Sequence, residues 1–204
     1  MITFKGPSFE SPWFNYPPKK TLNPLQISGE EKWHSGDYKG ALEDFDELIK
    51  EEPNNAYEFY SRGSALLKLG KPQEALDDTN KALKLNPNIA KAYETRGVAK
   101  AITGNKGGAL LDFRRAIEID ENFSSAYANL GALKSDLGNY KGALIDLNKA
   151  LEIDPNLAYG YRYRAKNYDR QGNMTDACKD MKKASSLGDE VATRNLEMNP
   201  GVCK

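Results

Sequence analysis

Few residues in this chain of 204 could carry covalent chemistry. His34 is the only histidine, and Cys178 and Cys203 are the only cysteines. Nucleophilic catalysis needs a base within hydrogen-bond reach of its nucleophile, and both cysteines lie far along the chain from His34. Two thiols and one imidazole fall short of the four ligands of a structural zinc site. Gly104-Asn105-Lys106-Gly107-Gly108 has the composition of a phosphate loop, but it lacks the Gly-Lys-Ser/Thr ending and follows a helical pattern rather than a strand. Asp77 and Asp78 are neighbours on a predicted helix, where adjacent side chains diverge, so they form no acid/base pair. The reading is of a non-enzyme with no catalytic residues, cofactor, metal or small-molecule substrate.

Recognition chemistry is better represented. Tyr159, Arg162, Tyr163, Lys166 and Arg170 follow one another at spacings of three and four, which places them on one helix face. Two aromatic rings beside three cations suit an acidic peptide or a free carboxylate, because arginine binds carboxylates in a bidentate fork and tyrosine adds rigid contact area. The alternative is that the cluster is salt-bridged internally, to Asp136 or Asp169. Lysine plus arginine equals aspartate plus glutamate at 29 each, so no nucleic-acid backbone is implied as partner. The balance is uneven along the chain: seven acidic residues face two lysines between Asp37 and Glu52, whereas nine basic residues face six acidic ones from Ala158 to Lys204.

The elements that must position these groups announce themselves by period. Gly36, Gly70, Gly104, Gly138 and Gly172 recur at one unvarying step, and Ala41, Ala75, Ala109, Ala143 and Ala177 keep the same step. Each unit divides into two apolar-periodic stretches of helical length, separated by the glycine, which ends the first helix in a left-handed conformation. Ala109-Leu110 with Phe113, and Ala143-Leu144 with Leu147, form one apolar stripe on the second helix. Gly63, Gly97, Gly131 and Ala165 share one position of the first helix, where small side chains let two antiparallel helices approach closely. Pro53, Pro87 and Pro155 end second helices; where Glu121 and Asp189 replace them, the neighbouring Asn122 and Gly188 take the junction.

At these residues the unit resembles the tetratricopeptide repeat, a helix-turn-helix of about 34 residues with small side chains at its eighth, twentieth and twenty-seventh positions. The eighth positions are Gly29, Gly63, Gly97, Gly131 and Ala165; the twenty-seventh are Ala82, Ala116, Ala150 and Ala184, with Leu48 departing in unit one. Lys32 in unit one and Thr79 in unit two also depart from the pattern. The Ser-Arg-Gly and Thr-Arg-Gly wording at 61–63 and 95–97 is similar to bacterial, especially cyanobacterial, variants. The resemblance implies an all-α, right-handed α-solenoid of five tetratricopeptide (TPR) helix pairs, at about 22–55, 56–89, 90–123, 124–157 and 158–189. These units span 24–189, and a capping helix from Asp189 to Met198 opens the tail at 190–204.

The same resemblance implies a concave groove lined by the first helices, at their second, fifth, sixth, ninth and thirteenth positions. The residues so placed include Tyr57, Tyr60, Lys91, Thr95, Asn129, Tyr159, Arg162, Tyr163, Lys166 and Arg170. The clamp that holds chaperone tails in some family members is not reproduced, since only Asn129 fits it and Glu94, Val98, Tyr159 and Tyr163 stand where its other groups belong. The resulting expectation is a non-catalytic interaction scaffold or adaptor, an assembly factor that binds a protein or peptide segment in the groove. The alternative is a permanent structural subunit of a larger complex, docked through its convex face and its N-terminal arm.

That arm, residues 1–23, holds four prolines among Phe4, Phe9, Trp13, Phe14 and Tyr16. Proline at this density favours extended backbone, and the aromatic load suits contact, with Trp13, Phe14 and Tyr16 docking in cis or in trans. Two readings stay open for the cysteines: the capping helix returns Cys203 to Cys178 for a disulfide, or both are reduced thiols. No apolar run is long enough to span a membrane. The first residues lack a signal pattern, so a cytoplasmic location is expected, or a periplasmic or organellar one if a leader has been removed.

Overall fold

The computed structural model describes residues 23–199 together with 201 and 203. The arm residues Trp13, Phe14 and Tyr16 lie outside the described residues. Within them the chain forms eleven α-helices and no strand. Five pairs follow in order: α1 Pro24–Ser35 with α2 Tyr38–Glu51, α3 Ala56–Lys68 with α4 Pro72–Leu85, α5 Ala90–Ile102 with α6 Lys106–Ile119, α7 Ser124–Asp136 with α8 Tyr140–Ile153, and α9 Ala158–Arg170 with α10 Met174–Ser186. A last helix, α11 Glu190–Met198, is capped by Asp189, whose carboxylate accepts the Ala192 N–H at 2.8 Å.

Each turn within a pair has one local solution. Gly36, Gly70, Gly104, Gly138 and Gly172 have φ between 73° and 90°, and Gly188 repeats the device after α10 at 90°. In four of the five units a side chain at the next position then caps the second helix, as where Asn105 accepts from the Gly108 N–H at 2.9 Å and Asn139 from the Gly142 N–H at 3.0 Å, whereas Lys71 of unit two makes no such bond. The glycine-rich stretch at 104–108 is therefore a helix C-cap followed by an N-cap. Between units the signal is partly different from the sequence expectation. The side chains of Asn86, Asp120 and Asp154 each accept the N–H two residues on, at 2.9–3.0 Å, so the turn before α7 forms without proline through Asp120, with Asn122 as its donor.

The core is strung along the stack as local clusters. One groups Phe59, Tyr60, Ala82, Leu83, Ile89 and Ala92; others centre on Ala41, Phe45 and Leu48, and on Ala109, Phe113, Leu130 and Leu133. The eighth-position glycines set the approach of the helices. A Cβ on Gly97 would stand 2.6 Å from the Phe113 ring, and one on Gly131 would stand 2.7 Å from Leu147 Cγ and 3.0 Å from the Ala143 carbonyl. At Gly63 the opposing residue is the smaller, fully buried Thr79, whose methyl would lie 3.1 Å away. Thr79 also satisfies its own hydroxyl by donating to the Ala75 carbonyl at 2.7 Å.

The two helices of each pair pack on each other, each second helix packs on the first helix of the next unit, and α3 meets α5, α5 meets α7 and α7 meets α9 directly. The second helices make no comparable row, so the first helices line the inner side of the curve. At the far end α11 rests on α10, and a disulfide joins Cys178 of α10 to Cys203, with Cα atoms 5.2 Å apart.

Candidate functional site

The inner side from α3 to α9 carries the candidate contact residues, and the structure sorts them by depth. Tyr60 and Thr95 are buried, at 6% and 8% exposure. Tyr60 belongs to the core cluster formed by α3, α4 and the start of α5, and Thr95 is covered to nearly the same degree. The reason is the close approach of α3 to α5, which covers the fifth and sixth positions more completely than the register alone implies. Tyr57 is half-buried and borders a cleft between units one and two with Glu52, Asn55, Leu85 and Asn86.

The centre of the groove is a polar network crossing three units. Asn129 of α7 donates its Nδ2 to Glu94 Oε1 of α5 at 2.9 Å. Ser125 of α7 stands near both the Glu94 carboxyl and the Tyr159 phenol of α9 and draws both pKa values down against burial. Burial pushes the Glu94 carboxyl above its ordinary value, opposed by the Ser125 and Asn129 hydrogen bonds and by the charges of Lys91 and Lys68. Burial likewise raises the Tyr159 phenol, and the Glu94 charge adds to the shift. Lys91 lies between the fields of Glu94 and Glu30, so its charge is shared across units one and three.

The basic cluster of α9 does not present three free cations. Arg162 donates Nε to Asp189 at 2.8 Å while its guanidinium lies 4.9 Å from the Tyr163 ring centre. Arg170 is 2.6 Å and Lys166 3.5 Å from the same Asp136 carboxylate oxygen, and Arg170 also donates to the Ser135 hydroxyl at 3.2 Å. Burial alone would raise the Asp136 carboxyl, but Arg170 and Lys166 hold it below the ordinary carboxylate value. The internally paired alternative is the one the geometry adopts. Three cations against Asp136 and Asp189 leave one net positive charge beside an edge-to-face pair, Tyr159 and Tyr163, with centroids 5.7 Å apart. The unit-five face is thus an aromatic platform with a mild positive bias, its cations drawn to Asp136 and Asp189.

Sequence reasoning missed a second periodic system. Asp44, Asp78, Asp112, Asp146 and Asp180 recur at the same step as the turn glycines, and all are buried. Asp78, Asp112 and Asp180 each accept two hydrogen bonds from an arginine of their own unit, Arg62, Arg96 and Arg164, at 2.6–2.9 Å. The third arm of each arginine reaches back to the preceding unit, to Asp46, Asn80 and Asn148. Where Leu130 takes the arginine's place, Lys134 approaches Asp146 to 2.6 Å. The aspartate period was readable, and it marks a stitch between consecutive units. As for catalytic chemistry, His34 on α1 has Glu30 3.8 Å away, whereas the sulfurs belong to the opposite end of the stack. Among the described residues no three histidines, cysteines or carboxylates gather as a metal site.

Comparisons with known proteins agree with this architecture. The family model of the tetratricopeptide repeat matches residues 56–89 and 124–157. No curated protein sequence matches the chain. Among solved structures, a crystal structure of MamA is 25% identical, with 85% of this chain and 99% of that one covered and a TM-score of 0.64. TTC0263, a thermophilic TPR protein of Thermus thermophilus, is similar in fold at 22% identity, covering 86% and 95% of the two chains with a TM-score of 0.75. YrrB, described as a TPR protein with an unusual peptide-binding site, is similar in fold at 20% identity, covering 86% and 91% with a TM-score of 0.59. Units two and four match the tetratricopeptide-repeat model, and the unbroken register of glycines and alanines with the stacked helix pairs gives the five units the tetratricopeptide-repeat fold.

Proposed function

We propose that this protein is a non-catalytic interaction scaffold, an adaptor or assembly factor that holds a peptide segment of another protein along the inner faces of α5, α7 and α9. The observation that carries this reading is the Asn129–Glu94 hydrogen bond between α7 and α5, with Ser125 and Tyr159 beside it, which supports treating the inner faces of three units as one surface. YrrB, similar in fold, is described as having a peptide-binding site, which supports the same reading. Asn129, Tyr159, Tyr163, Lys91, Arg162, Lys166 and Arg170 are the contact set, with the tyrosines as anchors and the cations as a weak electrostatic bias. Tyr57 serves the entry at units one and two. The arm residues Trp13, Phe14 and Tyr16 supply a further contact.

The Cys178–Cys203 bridge favours an oxidising compartment over the cytoplasm. No described helix is long and apolar enough to cross a membrane.

A photo-crosslinking amino acid placed at Tyr163, with Lys39 on the outer face as control, tests the groove in extracts of the native source. A protein adduct at 163 that is lost in the Tyr159→Ala variant, with none at 39, is the expected result. Adducts at 39 alone would move the site to the convex face. That second reading, a permanently docked subunit, is favoured by one observation: Leu111 and Ile145 stand out from the outer faces of α6 and α8.

A further inference from the structure

Leu111 and Ile145 are the two most exposed large hydrophobic side chains among the described residues, at 67% and 71%. They are one repeat apart and occupy the same place on α6 and α8. The fold does not ask for an aliphatic residue there, because the equivalent places in the other units hold Glu43, Asp77 and Lys179, none of them apolar.

A turn before Leu111 stands Gly107. Its φ is not in the left-handed region, and a Cβ there would meet nothing within 4 Å, so neither conformation nor space requires glycine. Glycine is among the weakest helix formers, and its use at an open site leaves backbone uncovered. Gly108 and Gly142 are explained differently, since a Cβ on either would stand 2.7 Å from the capping side chain of Asn105 or Asn139. Gly107 alone leaves open backbone beside Leu111.

The surroundings of the two aliphatic side chains are basic. Arg115 and Lys149, one turn after Leu111 and Ile145, are neutralised by Glu118 and Glu152 at 2.9 Å. Lys106, Arg114 and Lys141 are exposed and form no ion pair among the described residues.

We propose that the outer face of α6 and α8 is a second docking surface, which takes an acidic amphipathic helix of a partner protein. Its aliphatic anchors lie over Leu111 and Ile145, and its carboxylates meet Lys106, Arg114 and Lys141. A partner helix laid across α6 and α8 can set one aliphatic anchor over Leu111 and another, further along its own face, over Ile145. A second copy of this chain fits less well: α2, its most acidic helix, carries Glu43, Glu47 and Glu51 but exposes no large aliphatic side chain. This surface lies on the side opposite the peptide groove and stands apart from that reading.

The test uses a fluorescent synthetic helix of about 15–20 residues, with leucines at i, i+4 and i+7 flanked by glutamates. The other probes are its Glu→Lys counterpart and vesicles of mixed phosphatidylcholine and phosphatidylserine. Anisotropy should show the acidic helix binding the full chain, with affinity falling with salt and at least about tenfold in L111E/I145E. In K106E/K141E the salt dependence should flatten. All four positions are exposed, so unchanged helicity and melting of both variants verify that folding is intact. Equal binding of acidic and basic helices, binding undiminished by L111E/I145E, or no binding at millimolar peptide overturns the proposal. It is equally overturned if vesicles alone bind and lose binding in L111E/I145E, which assigns the face to a membrane. Sedimentation showing self-association abolished by the same variant assigns it to a second copy and overturns it too.

Discussion

Replacing Gly131 by alanine puts the close approach of α7 and α8 to a quantitative test. The new Cβ would stand 2.7 Å from Leu147 Cγ and 3.0 Å from the Ala143 carbonyl, and both residues are fully buried. One obstacle is backbone and the other a core side chain with nowhere to move, so overpacking should cost about 1–3 kcal/mol. Alanine in place of glycine returns about 1 kcal/mol of helix propensity. The net is a loss of about 1 kcal/mol, or about 2–4 °C in Tm for a chain of this size. Gly107→Ala is the control, because its Cβ meets nothing within 4 Å, and it should melt above the wild type by a similar margin. Gly63→Ala, facing the Thr79 methyl at 3.1 Å, should fall between them. Gly131→Leu should be worse than Gly131→Ala, whereas Lys106→Leu at an exposed position should leave Tm nearly unchanged. Thermal and urea melts followed by far-UV circular dichroism give the order. A Gly131→Ala variant melting at or above Gly107→Ala would refute the close-approach argument.

Asp112→Ala strands Arg96 and Lys100, both of which bond its buried carboxylate, and should cost about 3–5 kcal/mol by urea unfolding, with much of the loss recovered in Arg96→Met/Lys100→Met/Asp112→Leu. Reducing the Cys178–Cys203 bridge, whose cysteines are 25 apart in sequence, should loosen the tail by about 3–4 kcal/mol and, by hydrogen exchange, do so mainly in α11, because α11 rests chiefly on α10. Burial raises the Glu58 and Glu94 carboxyls above their ordinary 4.5, so the folded state holds these protons more tightly. Their contribution is complete below 4.5 and is lost as pH rises through the folded values, so the Glu58→Gln/Glu94→Gln variant should lose less stability than wild type on going from pH 4 to neutral. Arg162→Ala/Lys166→Ala should weaken capture of the groove-crosslinked partner only modestly and leave helicity unchanged, since Asp189 and Asp136 already balance two of the three charges.

The repeat was legible because its requirements are local and recur. Each left-handed glycine, each small eighth-position residue and each apolar stripe reports a need that the neighbouring turn of chain imposes, and five copies repeat it. The capping helix was legible for the same reason: Asp189, Gly188 and the apolar residues after them state a helix start without reference to distant parts. The buried aspartates show the limit. Their period was in plain view, but only the stack reveals that Arg62, Arg96 and Arg164 each grip two units.

The inner side of the stack was legible in the register, whereas the depth and charge of its residues were not. Register alone assigns Tyr60, Thr95 and Tyr159 to the inner side, yet how deeply each lies depends on how closely α3, α5, α7 and α9 approach one another, a distance no single unit contains. The charge of the α9 face was decided in the same way: its cations meet Asp136 from the preceding unit and Asp189 from beyond α10, so pairing across units sets the field that a partner would feel. Period fixes what a unit is, because it is written within the unit itself; exposure and net charge at the surface are properties of the stack, because they arise only where one unit meets the next.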